Sequence, residues 1–123
     1  MEQRIEEFTL EKKSFIYLDL SEFEKNEEYK EFVEVSSKNI KKYAEHSLYT
    51  ITNIRGVSFD TETKSIIAKW MEHNKPYVKY GAVIGFDGIK RIIVNAIFKM
   101  SGRKNMTFSA TKEQAIEWLL KQE

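Results

Sequence analysis

The sequence predicts an α/β fold in which four strand–helix units build a mixed, largely parallel sheet. Two observations carry this reading. Short apolar runs of strand length alternate four times with stretches whose apolar residues recur at helical spacing. The 123 residues hold one proline, five glycines and no cysteine, so no stretch reads as a linker and no disulfide or thiolate metal site can form. Hydrophobic residues make up 41% and charged residues 32%, a balance that suits one buried core and excludes collagen-like and disordered chains. The length fits a single domain over 1–123.

Ile5 to Leu10 reads as an added antiparallel strand, with Glu11-Lys12-Lys13 as its turn. Phe15-Ile16-Tyr17-Leu18-Asp19-Leu20 opens the repeat as a strand rich in aromatic and β-branched residues. Ser21-Glu22-Phe23-Glu24 has the capping-box form, and the helix beyond it places Tyr29, Phe32, Val33, Ser36, Ile40, Tyr43 and Ala44 on one stripe. In the second unit Leu48 to Ile54 is the strand. Asp60 caps a helix that turns Ile66, Ile67, Trp70 and Met71 inward and ends at Asn74 and Pro76. The third unit runs from Tyr80 to Gly85, then into a helix from about Asp87 with Ile89, Ile92, Ile93, Ala96, Ile97 and Met100 inward. The fourth has Met106 to Ser109 as strand and Thr111-Lys112-Glu113-Gln114 as a second capping box, with Ala115, Trp118 and Leu119 facing in. If successive strands are neighbours, right-handed crossovers put all four helices on one face and leave the other partly open.

The net charge of +1 conceals an asymmetry. Residues 1–34 carry eleven acidic and five basic side chains. Residues 75–104 carry seven basic ones (Lys75, Lys79, Lys90, Arg91, Lys99, Arg103, Lys104) against Asp87 alone. Such polarity steers a partner over about one Debye length, ~8–10 Å at physiological salt. It suits an anion, a phosphorylated peptide or a second copy in a homodimer. It does not suit nucleic acid, because the domain as a whole is not basic.

No catalytic set emerges. His46 and His73 are each expected in the last turn of a helix, where an imidazole complements the carbonyl end of the dipole, and neither has an HExxH-like neighbour. There is no GxSxG elbow, and the glutamates crowding the first helix read as a solvated face. Gly85-Phe86-Asp87-Gly88, followed by Lys90 and Arg91, joins a buried strand to a helix start, where free amides and cations can hold an anion. Asp87 in the same place repels an anion and caps the helix itself, and the pattern matches no nucleotide fingerprint. Ser58, Asp60 and Thr61 put hydroxyls at another helix start, where an added phosphate is favoured by the dipole and where capping alone explains the same residues.

Asn74-Lys75-Pro76-Tyr77-Val78-Lys79, Ala82-Val83-Ile84-Gly85, Gly88-Ile89-Lys90 through Asn95-Ala96, and Gly102-Arg103 together form a pattern, which Phe108, Thr111, Glu113, Ala115, Trp118 and Leu119 continue. In these segments the chain resembles bacterial STAS-like proteins of the SpoIIAA-like superfamily, specifically over about 74–119 and more loosely before. The resemblance implies the SpoIIAA-like (STAS-like) fold and a regulatory module that binds partner proteins, in some relatives switched by phosphorylation of a serine at a helix start. That serine follows an aspartate and precedes a Ser-Gly pair. Here Asp60-Thr61 is followed by Glu62 and Thr63, so the serine and glycine are missing.

The expected function is therefore a non-enzymatic binding module acting on a protein partner or on itself. The alternative is a receptor for a small anionic or amphipathic ligand, lipid-like or nucleotide. The candidate anion or partner contacts are Gly85, Asp87, Gly88, Lys90, Arg91 and Arg103, and the candidate switch at a helix start is Ser58, Asp60 and Thr61. No metal or cofactor is expected. No apolar run approaches the ~20 residues of a membrane helix and no signal-peptide core follows Met1, so the expected location is cytoplasmic.

Overall fold

A hairpin starts the sheet. β1 (Ile5–Leu10) and β2 (Lys13–Asp19) pair antiparallel across Glu11 and Lys12, whose φ angles of 48° and 68° give the turn a hand that matches strand twist. The computed structural model, which describes residues 1–123, continues with α1 (Asn26–Ile40), β3 (Leu48–Asn53), α2 (Thr61–Asn74), β4 (Val78–Ile84), α3 (Gly88–Met100), β5 (Met106–Phe108) and α4 (Lys112–Leu120). The five strands lie in the order β1-β2-β3-β4-β5, with every pair after the hairpin parallel. The chain is an α/β protein with a mixed five-stranded sheet and four helices.

Three helices, not four, share a face. α1, α2 and α3 each return the chain to the next parallel strand, so crossover handedness binds all three to one side. Ile16, Leu18 and Val83 point to that side and pack with Phe32, Trp70 and Ile97. α4 follows the last strand and returns to none, so no crossover constrains it. It folds onto the opposite face, where Ala115 and Leu119 join Phe15, Tyr49, Ile51 and Ala82. The open face expected from sequence is thus partly filled. Alternation along β2 serves both layers, since Phe15 and Ile16 are each fully buried on opposite sides. On the α4 side an aromatic ladder, Phe8–Phe15–Tyr49–Tyr80–Trp118, crosses four strands with centroid separations of 5.1, 5.5, 6.2 and 6.0 Å. Lys112 then lies 4.4 Å from the Tyr17 ring and bonds Glu6 at 2.7 Å, strapping α4 to the hairpin.

Ser21-Glu22-Phe23-Glu24 is not a capping box. Ser21 N–H donates back to Asp19 Oδ1 at 2.9 Å and Glu22 sits at φ 62°, so the segment is a turn. α1 starts later and is capped by Glu28, whose Oε1 accepts from Glu24 N–H and Lys25 N–H at 2.9 and 3.0 Å. Its predicted stripe is buried at Tyr29, Phe32, Ser36 and Ile40, while Tyr43 and Ala44 lie past its end. The Tyr43 hydroxyl donates to Glu7, and burial together with that carboxylate pushes its pKa up to about 12. Trp70 Nε1 donates to Ser36 Oγ at 3.0 Å, which satisfies both polar groups between α1 and α2. His46 is also misplaced by the sequence reading. It belongs to the turn before β3 at φ 54°, whereas His73 does close α2.

The largest departure is in α3. Its buried residues are Val94, Ile97 and Phe98, with Ile93 half-buried. Ile89, Ile92, Ala96 and Met100, expected inside, are exposed. At about 100° per residue the apolar side chains of α3 sweep roughly 240° of its circumference, wider than one packed face requires. The sheet takes one side and the rest is left outward.

Candidate functional site

Five of the six predicted contact residues gather where β4 meets α3. Gly85 has φ 77°, and a Cβ there would collide with Asn53 Oδ1 and stand 2.7 Å from Arg55 N, so glycine is required. Asp87 Oδ1 accepts from Lys90 N–H at 2.9 Å, capping α3 and placing a negative charge at the amides an anion would use. Gly88 meets no such restriction, since a Cβ there has nothing within 4 Å. Lys90 Nζ stands 4.0 Å from Asp87 Oδ2. Arg91 spreads its guanidinium over Phe86 and Phe108, 5.6 and 5.0 Å from their centroids, and pairs with no carboxylate.

Arg103 is not part of that cluster. It lies past the far end of α3, whose thirteen residues span about 20 Å. Only 7% exposed, its Nη1 donates to Met71 O at 2.9 Å near the carbonyl end of α2. Burial lowers its pKa to about 10, and the helix dipole offsets part of the cost of an inward cation. Arg103 is therefore occupied in holding α2 to β5 and cannot meet an anion beside Gly88.

The second predicted cluster lies where β3 leads into α2. Asp60 Oδ1 accepts from Thr63 N–H at 2.8 Å, and this bond, with the Thr63 hydroxyl, holds the carboxyl below its ordinary range. Ser58 and Thr61 are exposed. Asn26 Nδ2 donates to Glu62 at 2.8 Å and Lys30 reaches the same carboxylate at 3.1 Å, which ties the first turn of α2 to α1.

A third feature was not foreseen from sequence. α1 packs closely on α2, whereas α3 stands off from it, and the two leave a groove of about 680 Å³. Ala68, Ile92, Ala96 and Met100 line it, with Lys64 and Lys69 on the α2 rim. The available signal was the number of apolar positions in α3, which exceeds one face. No group of three or more His, Cys, Asp or Glu residues is placed to hold a metal ion. No helix is long and apolar enough to cross a membrane. The chain matches no protein-family model and no curated protein.

Proposed function

We propose that this chain is a non-enzymatic binding module of the STAS-like (SpoIIAA-like) class, acting through a partner protein that lays an amphipathic, acid-flanked helix into the groove between α2 and α3. The observation that carries this reading is the outward stripe of α3, where Ile89, Ile92 and Met100 are 73, 72 and 87% exposed. A contiguous apolar strip left in water, rimmed by polar residues, is the surface signature of an interaction site. This strip is linear and runs most of α3, a shape that suits a helix anchored at i, i+3 and i+7. The repeated strand–helix units support the STAS-like assignment.

Charge selects the occupant. α3 carries no carboxylate and sets Lys99 beside the stripe, and α2 adds Lys64 and Lys69 against Glu72 at the groove. A second copy docked α3 to α3 sets these cations against themselves, a like-charge arrangement that disfavours self-pairing here. A helix with glutamates flanking its apolar face answers both the floor and the rim.

Fluorescence anisotropy with an amphipathic peptide of about 18 residues, apolar on one face and Glu on both flanks, tests the reading. Micromolar binding is expected, at least about tenfold weaker for the same peptide with Lys flanks. The pair Ile92→Glu and Met100→Glu, both outward, removes binding while leaving circular dichroism unchanged. Equal affinity for the two peptides, or for the substituted chain, sinks the proposal.

A further inference from the structure

A second concavity lies apart from the α2–α3 groove and shares no lining residue with it. It is a hollow of about 480 Å³ at the end of the sheet where β3 and β4 begin, lined by His46, Lys75, Lys79, Lys104, Tyr80 and Asn105, among others. Three separate connections and one strand deliver its polar side chains. His46 stands in the turn before β3, Lys75 just past α2, and Lys104 between α3 and β5, while Lys79 is the second residue of β4.

Backbone bonds hold these connections in register. His46 N–H donates to Pro76 O at 3.0 Å, joining the first two. Asn105 Nδ2 donates to Val78 O and Lys79 O at 3.1 and 2.9 Å, and Asn105 O accepts from Gly81 N–H at 3.0 Å. The floor of the hollow is thus fixed by main-chain bonds and the Asn105 side-chain amide before anything enters it.

No carboxylate lines the hollow, and none of its three lysines is ion-paired. Lys30, Lys38, Lys90, Lys112 and Lys121 each have an acidic partner, whereas here three unpaired lysines line a single concavity. Lys75 Nζ donates to Ser101 O at 2.9 Å, which orients the ammonium without neutralising it. Three like charges around one concavity repel one another unless an anion intervenes. A single carboxylate leaves most of that repulsion, whereas each phosphoryl group supplies about −1 to −2 together with several acceptor oxygens.

We propose that this hollow binds a polyphosphate chain bearing three or more negative charges, either free or as the phosphate portion of a nucleotide. Calorimetric titration of the full chain at about 50 mM NaCl, with tripolyphosphate, ATP, orthophosphate and adenosine as probes, tests it. Tripolyphosphate is expected to bind at least about tenfold tighter than orthophosphate, and to weaken steeply as salt rises. Equal affinity for ATP means the phosphate chain is recognised whatever carries it, and binding of tripolyphosphate alone restricts the ligand to the free anion. The pair Lys79→Ala and Lys104→Ala costs at least about tenfold in affinity, while Lys90→Ala with Arg91→Ala, at the other end of α3, costs less than about twofold. The proposal fails if no phosphate binds at millimolar concentration, if orthophosphate matches tripolyphosphate, if the first pair changes nothing, or if the second pair costs as much as the first.

Discussion

α1 and α3 are both crossover helices on the same face of the same sheet, yet they relate to it differently. α1 buries the stripe its sequence marks, with Phe32 and Ile40 fully inaccessible and a solvated flank of glutamates behind. α3 buries only Val94, Ile97 and Phe98 and leaves Ile89, Ile92 and Met100 in water. A helix with one apolar stripe has one way to pack. A helix apolar over two-thirds of its circumference has several, and its neighbours decide between them. α1 is held by α2 on its flank, through the Trp70–Ser36 bond and the Phe32–Trp70 edge contact at 5.9 Å. α3 has no such neighbour on its outward side. The surplus apolar surface is where a partner is needed.

Substitution in each stripe gives the largest contrast. Phe32→Ala removes a fully buried ring between α1 and α2 and should cost about 3–5 kcal/mol in urea unfolding. Ile92→Ala, in a side chain 72% exposed, should stay within about 0.5 kcal/mol of the parent. Similar losses at the two positions would mean that α3 packs by the stripe its sequence suggested, and would remove the basis for the groove.

A smaller effect separates capping from anion binding at the start of α3. Asp87→Ala strips the acceptor from Lys90 N–H and should lower stability by about 1 kcal/mol, while Asp87→Ser restores most of it. An anion site masked by Asp87 predicts something else: stabilisation of the alanine variant by added phosphate, to a level above the parent. Thermal melts with and without phosphate decide between them.

Strand positions, the hairpin and the parallel order followed from sequence because alternation and turn residues are local properties. Asp60, Asp87 and Thr111 were also readable as caps, since each accepts from an N–H three residues on. Of the readings that failed, three did so because each depended on contacts made elsewhere. Ser21 resembles a cap, but the next residue's N–H, that of Glu22, donates to Arg55 O at 2.9 Å and fixes the segment as a turn beside the end of β3. Arg103 belongs to a basic run in sequence and is spent on the carbonyl of Met71, which only the packing of α2 beside β5 brings near. The side on which α4 lies was undetermined because no following strand fixes it. The hollow at His46, Lys75, Lys79 and Lys104 draws on three loops, and spacing along the chain carries no trace of that convergence.

Acid titration probes α1 from its first turn and should have the smallest effect. The N–H groups of Glu24 and Lys25 hold the Glu28 carboxyl below its ordinary 4.5. The fold therefore favours the charged form, and the stabilisation is complete above that ordinary value and lost as pH falls through the lower folded one. Glu28→Gln keeps an acceptor oxygen and removes the titration. Asp60 contributes with the same sign at α2, so both proteins should lose stability in acid. The gap between their urea midpoints isolates Glu28: widest near neutral pH and closing below the ordinary carboxyl range. A gap constant with pH would show that the Glu28 bonds do not outlast solvent competition. The start of α1 would then rest on packing at Tyr29 and Phe32 alone, and the ordering of α1 over α3 would owe nothing to its cap.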